Sequence, residues 1–250
     1  MTPLPIAEIA RRQLADYDAH EPGRIFEDPA FTLTLAAAYE VQRQVAALRA
    51  ARGEAIAGYK IGCTSEATQR QLGIERPVFG HLFATGLYRS GVALDAGEFC
   101  RLAVEGEFAV RIGADLSIVS AFPVIELHNH VFRGAVRTPQ ELIANNAIHA
   151  GVVLPAAGIP SPDAAELVRG AISVFRNGKL LGTASGAVIP GGPLESVVRV
   201  AEHLASFGAA LEPGQIVLTG SPLPLYPVRP GDHVVVRGPQ SIEVEFSVLA

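Results

Sequence analysis

Apolar residues recur at helical spacing twice near the start of the chain, as Ile6, Ile9, Ala10 and Leu14, and again as Leu35, Ala38, Val41, Val45 and Leu48 before Gly53. This periodicity predicts two helices within residues 1–55. After Ile56 the pattern changes to short β-rich runs punctuated by glycine and proline. Strands are predicted from Tyr59 to Thr64, Val104 to Ile112, Val124 to Val131, Ile172 to Arg176, Ile216 to Thr219 and His233 to Val236. Two further helices interrupt them. Thr138-Pro139-Gln140-Glu141 carries a cap, a proline at the first helical position and an acid two residues later, and Leu194 to Phe207 is amphipathic and stops at Gly208. Asn177-Gly178, Glu212-Pro213-Gly214 and Arg229-Pro230-Gly231-Asp232 are turns between strands. The expected class is α+β, with an N-terminal helical segment over residues 1–55 and a β-rich unit over residues 56–250. No internal repeat is present.

Within this pattern one strand carries chemistry. Leu102 to Ile112 alternates so that Val104, Phe108 and Val110 share one face while Glu105 and Glu107 share the other. Residues two apart on a strand lie roughly 6.5 Å apart, so the two carboxylates reach toward one point, with Gly106 between them adding no bulk. Like charges so placed call for a cation, and hard divalent ions take oxygen ligands; a solvated strand face is the simpler alternative. The next strand, Val124 to Val131, puts Glu126, His128 and His130 on one face. Three carboxylates from two strands form an oxygen-rich site for Mg²⁺ or Mn²⁺, whereas Glu126 with both histidines suits Fe²⁺ or Zn²⁺.

Lys60 is the first lysine of the chain, and the next is Lys179. It sits in the apolar strand Gly58-Tyr59-Lys60-Ile61-Gly62. A buried ammonium is costly unless paired or used, so Lys60 counters a carboxylate cluster or moves protons, unless its strand lies at an edge and lets it reach solvent. Cys63 reads as a small core residue.

Composition narrows the partners. The chain has 250 residues, 49% hydrophobic and 18% charged, with a net charge of −5. This describes a tightly buried globular protein, and the absence of a basic block argues against nucleic acid. Two cysteines, a start lacking the features of a secretory leader, and no apolar run of membrane-spanning length point to a cytoplasmic protein without membrane attachment. The apolar excess points to burial between subunits of a homo-oligomer, and a complex with another enzyme is compatible with it.

The ordered stretches Ala38-Tyr39-Glu40-Val41-Gln42, Gly58 to Ser65, Gln71 to Pro77 followed by Phe79-Gly80, Val104 to Ala109, Ile125-Glu126, Ala144 to Ala147 and Leu211 to Pro222 together resemble the 2-keto-4-pentenoate hydratase and 2-oxo-hex-3-enedioate decarboxylase branch of the fumarylacetoacetate hydrolase superfamily. The resemblance implies a β-rich sandwich or roll with a small N-terminal helical layer. It also implies Mg²⁺ or Mn²⁺ held by Glu105, Glu107 and Glu126, with Lys60 beside the metal and Ser65, Thr219 and Ser221 as substrate-binding positions. The chain departs from the pattern at three places. Val78 stands where hydratases of this branch have an aspartate, and it resembles the apolar residue that decarboxylase relatives have there. Asn145 and Ile148 replace an acid and a hydroxyl. The stretch between Glu107 and Glu126 is about a dozen residues shorter than the family pattern, which removes a helix over the site. His81, three residues after Val78, is the candidate to supply the missing acid or base.

The function expected from the resemblance is hydration of a 2-hydroxypenta-2,4-dienoate to a 4-hydroxy-2-oxo acid, since a carboxylate and an adjacent 2-oxygen chelate one divalent ion. Decarboxylation of a 2-oxo-hex-3-enedioate and hydrolytic cleavage of an acylpyruvate follow it. Two other classes carry different signatures: a cupin-like iron dioxygenase using His128 and His130, and an inactive partner subunit that keeps the scaffold after losing polar site residues.

Overall fold

The computed structural model describes residues 4–156, 159–160 and 164–250. Two helices, α1 (Ile6–Asp18) and α2 (Leu35–Ala51), precede the first strand, as the periodicity predicts. Thr34 caps α2 by accepting from the Ala37 N–H. The helices α3 (Glu66–Leu72), α4 (Pro139–Ala144), α5 (Ala164–Leu167) and α6 (Gly192–Ala205) lie between strands. Thr138 accepts from the Glu141 N–H at 3.2 Å, which realises the predicted cap of α4.

Two sheets are built on this frame. The larger runs in the order β2 (Val78–Phe83), β1 (Ile56–Gly62), β11 (Ile216–Leu218), β5 (Leu102–Ile112), β6 (Ile118–Asn129), β7 (His149–Leu154) and β3 (Leu87–Arg89), with the two-residue strands β8 (Ile159–Pro160) on β6 and β12 (Tyr226–Pro227) on β5. The smaller runs β10 (Lys179–Ser185), β9 (Ala171–Arg176), β13 (His233–Arg237), β14 (Glu243–Leu249) and β4 (Val92–Asp95). Strands β2, β3, β4, β7, β8, β10, β12 and β14 extend the sheets beyond the six runs named from sequence. The α+β class and the double-sheet architecture hold.

Alternation sorts the side chains of the larger sheet. Val104, Phe108, Val110, Ile125 and Leu127 face the smaller sheet and meet Val174, Val236 and Phe246 in the main core. The opposite face carries Ala109, Phe122, Val124, Val152 and Leu218, and the α2, α4 and N-terminal helices cover its edge with Ile9, Val41, Leu142 and Ile143. Strands β5 and β6 form a long antiparallel ladder with Glu105 opposite Glu126, joined by the single 3-10 turn Ala114–Leu116. No helix among the described residues is long and apolar enough to cross a membrane.

Gly106 is needed for packing between the sheets. A Cβ there would lie 2.6 Å from Val174 Cγ2 and 3.3 Å from Val236 Cγ2, so β9 and β13 approach the backbone of β5 where its two flanking glutamates turn the other way. Gly106→Ala should therefore lower stability by about 1–3 kcal/mol through overpacking, measured as a reduced midpoint of chemical denaturation. An unchanged midpoint would mean that Val174 yields freely.

Candidate metal centre

The register of β5 and β6 places Glu105, Glu107, Glu126 and His128 on one face, and β1 and β7 bring Lys60 and His149 to it. Glu126 is the centre of the cluster. It is 1% exposed, its Oε1 lies 3.0 Å from Lys60 Nζ, and the same oxygen is 2.7 Å from His149 Nδ1. Its other oxygen, Oε2, lies 3.4 Å from His128 Nε2, which is also 3.4 Å from Glu105 Oε2. Glu107, 1% exposed, accepts from the Gly220 N–H. Gly220 has φ +99°, and a Cβ there would lie 2.9 Å from Thr64 Cγ2, so only glycine fits this turn at the end of β11 without strain.

The protonation pattern follows from this crowding. Burial raises the Glu107 carboxyl well above the usual range, and Glu126 raises it further against the pull of Lys60. Burial acts the same way on Glu126, but His128, Lys60 and His149 outweigh it and hold it well below that range. Lys60 is raised because Glu126, Glu105 and Glu107 overcome its desolvation, so it is an ammonium. Burial lowers His149 despite Glu126; the neutral ring donates from Nδ1 to the ionised carboxylate.

These residues fit a divalent cation. The part-exposed Glu105 and the buried Glu107 and Glu126 converge on one point, and against its burial Glu126 and Glu105 raise the His128 pKa to about 9, which marks an excess of negative charge there. Ligand atoms of Glu105, Glu126 and His128 all lie within 4.8 Å of one another, the one such metal-ligating group among the described residues. His130 falls outside it, at the end of β6, with its backbone N–H donating to Arg101 O.

The other residues singled out from sequence have different surroundings. His81 pairs with Tyr59 across β1 and β2, whereas Lys60 pairs with Gly80, so its side chain is on the face of β2 opposite Lys60. Its ring packs at 5.3 Å from Tyr59 and 6.3 Å from Phe83. Burial, with Arg43 and Arg49 adding to it, lowers its pKa to about 4 despite Asn146. The structure does not bring His81 to the carboxylates. Ser65 is exposed and caps α3, accepting from the Thr68 N–H. The Thr219 hydroxyl donates to Phe108 O at 3.0 Å, and that of Ser221 to Gly106 O at 3.1 Å. All three hydroxyls are engaged with the chain itself.

Next to Lys60 the wall is apolar. Val78 is 2% exposed and clusters with Ala147 and Ile148, and the Ala147 carbonyl accepts from Lys60 Nζ at 3.4 Å. Asn146, Ala147 and Ile148 all have left-handed backbone, φ +56°, +51° and +55°. Asn146 ties this turn to β2 by accepting from the His81 N–H and donating to His81 O. Sequence reading singled out the 144–148 segment but overlooked His149. The only available signal for His149 was its position at the start of an apolar run, which does not reveal that β7 pairs with β6.

Residues 65–248 match the family described as fumarylacetoacetate (FAA) hydrolase C-terminal. A 2-hydroxyhexa-2,4-dienoate hydratase from Comamonas testosteroni is 28% identical over 234 residues, which cover 86% of this chain and 87% of that protein. A 2-keto-4-pentenoate hydratase from Paraburkholderia phymatum is 30% identical, covering 84% and 85%. The solved structure of the 4-oxalocrotonate decarboxylase from Pseudomonas putida G7, complexed with magnesium and adipate, is similar with a TM-score of 0.89 at 25% identity, covering 98% of this chain and 97% of its own.

Loss of the central carboxylate should be felt directly. Glu126→Gln is expected to weaken Mn²⁺ or Mg²⁺ binding by more than the roughly 10–100-fold that outer partners of a metal cost, measured by calorimetry. Wild-type affinity in this variant would remove Glu126 from the site.

Proposed function

The chain belongs to the fumarylacetoacetate hydrolase family, and on that premise we propose that it is a divalent-metal-dependent lyase acting on 2-hydroxydienoates and their 2-oxo tautomers. Its principal reaction in this reading is addition of water to a 2-hydroxypenta-2,4-dienoate to give the 4-hydroxy-2-oxo acid. The observation that carries the proposal is the convergence of the buried Glu107 and Glu126 and the part-exposed Glu105 on the Lys60 ammonium, and the two hydratase relatives agree with it. Glu105, Glu107 and Glu126 would hold Mg²⁺ or Mn²⁺. When bound, the cation supplies a Lewis acid for the adjacent carboxylate and 2-oxygen of a 2-oxo acid.

The chain's own groups supply the rest. Lys60 keeps its proton at Nζ and presents a fixed positive charge where the 2-oxygen gains negative charge. Glu126 holds Lys60, and His149 fixes Glu126 from the other side by donating to the same oxygen. Protonation at the far carbon of the dienol, with the 2-hydroxyl proton released to solvent, gives the conjugated ketone, and water then adds at C4 while a proton goes to C3. Lys60 is the charged donor nearest this path.

A second reading, decarboxylation of a 2-oxo-hex-3-enedioate, draws on the buried apolar wall of Val78, Ala147 and Ile148. A carboxylate set against such a wall loses the solvation that stabilises its charge, which favours its departure as CO₂. His81, on the other face of β2, does not supply this wall with an imidazole to activate water.

Two measurements test these readings. Lys60→Met should lower kcat by roughly 10²-fold or more, the scale of a lost acid, base or oxyanion group, and a variant with wild-type kcat would refute its role. Purified protein with Mg²⁺ should convert 2-hydroxypenta-2,4-dienoate to the 4-hydroxy-2-oxo acid. If the dienol is only ketonised and CO₂ is released from 2-oxo-hex-3-enedioate, the decarboxylase reading replaces hydration; if neither substrate is turned over, both fail.

A further inference from the structure

We propose that His128 is itself a ligand, through Nε2, which makes the centre a mixed nitrogen and oxygen site selective for first-row transition ions such as Mn²⁺, Fe²⁺, Co²⁺ or Zn²⁺ over Mg²⁺ and Ca²⁺. This inference rests on the metal-dependent reading above and extends it to the identity of the ion.

The argument starts from which atoms are already occupied. Glu126 Oε1 receives both Lys60 Nζ, at 3.0 Å, and His149 Nδ1, at 2.7 Å. That engages His149 Nδ1 and leaves Glu126 Oε2 facing the centre. Glu107 is engaged by the Gly220 N–H through one oxygen. His128 is different: its side chain is 3% exposed, its Nδ1 has no hydrogen-bond partner, and its Nε2 faces Glu105 Oε2 and Glu126 Oε2, the two oxygens that would share an ion with it. A buried ring whose Nε2 stands at the far limit of hydrogen-bond range from two carboxylate oxygens is poorly satisfied by them alone.

The distances fit a shared ion. His128 Nε2 lies 3.4 Å from both Glu105 Oε2 and Glu126 Oε2, long for a hydrogen bond. Two ligands bound at about 2.1 Å to one ion stand roughly 3.0 to 3.4 Å apart, depending on whether the angle between them is octahedral or tetrahedral. The fold enforces this arrangement. Glu105 and Glu126 are directly opposed in the β5–β6 ladder, and His128 is two residues along β6 on the same face, opposite Ala103, whose small side chain leaves the ring room to lean toward Glu105.

A nitrogen donor changes which ion is preferred. Mg²⁺ and Ca²⁺ favour oxygen ligands, whereas imidazole suits first-row transition ions. His128→Gln should therefore weaken Mn²⁺ binding by roughly 10-fold or more while changing Mg²⁺ binding by less than about threefold, both measured by calorimetry. Cu²⁺ bound to the wild-type protein should show imidazole-nitrogen modulation in pulsed EPR, which His128→Gln removes and His149→Gln retains.

The outcomes separate the two levels of the argument. No imidazole modulation in wild type, its persistence in His128→Gln, or its loss in His149→Gln overturns the ligand role of His128. If Glu126→Gln binds Mn²⁺ like wild type, the carboxylate site itself fails and the inference fails with it. If Glu126→Gln loses Mn²⁺ while wild type lacks the modulation, the carboxylate reading stands and only the inference falls. Because the wild-type spectrum and His149→Gln each bear on the claim, it stays testable even if His128→Gln does not fold.

Discussion

Curvature of the large sheet is the constraint on which the site depends. Lys60 is on β1 and Glu126 on β6, with β11 and β5 between them. Three strand spacings in a flat sheet come to roughly 14 Å, yet Lys60 Nζ lies 3.0 Å from Glu126 Oε1. The sheet must curl so that side chains on its concave face converge. That convergence makes a buried carboxylate tolerable, since an ionised group in the interior needs partners from several directions. Glu126 receives them from β1, β6 and β7. The apolar core on the other face, where Val174 and Val236 press against Gly106, holds the curved strand in place.

Much of this was legible in the sequence, because the informative residues obey a local rule. Glu105 and Glu107 are two apart on a strand, so a period of two places them on one face with no knowledge of the fold. The same rule gives Glu126 with His128, and helical spacing gives α1 and α2. Pairing between distant segments was not legible. Nothing local says that β7 lies against β6, which is what delivers His149 to Glu126. The hydroxyls of Thr219 and Ser221 illustrate the same limit: their motif suggested contact with a ligand, but the tight approach of the 219–221 turn to β5 engages both with backbone carbonyls. His81 was placed by proximity in sequence to Val78. On a strand, three residues on means the opposite face, and the Tyr59–His81 pairing shows it.

With His81 on the opposite face of β2, the surroundings of Val78 are apolar. Val78, Ala147 and Ile148 close one side of the Lys60 environment with methyl groups, and a turn of three left-handed residues carries two of them. Left-handed backbone costs roughly 1–2 kcal/mol per residue outside glycine, and the paired hydrogen bonds of Asn146 to His81 offset part of that. The turn is thus held by its contacts with β2 against its own preference, and it sets the Ala147 carbonyl against Lys60. Charge and apolarity meet at one ammonium, whose carboxylate side and methyl side come from different parts of the sheet.

That division has an evolutionary consequence. The carboxylates come from β5 and β6 at the centre of the sheet, where each residue has neighbours on both flanks and few substitutions are tolerated. The wall comes from β2, an edge strand, and from the 146–148 turn that leans on it. An edge can be rebuilt without disturbing the centre. A lineage could exchange Val78 or Ile148 for a polar residue, or the reverse, and change the surroundings of Lys60 while the central carboxylates stay untouched. Relatives with hydratase and decarboxylase names on one scaffold are what such separable parts would produce.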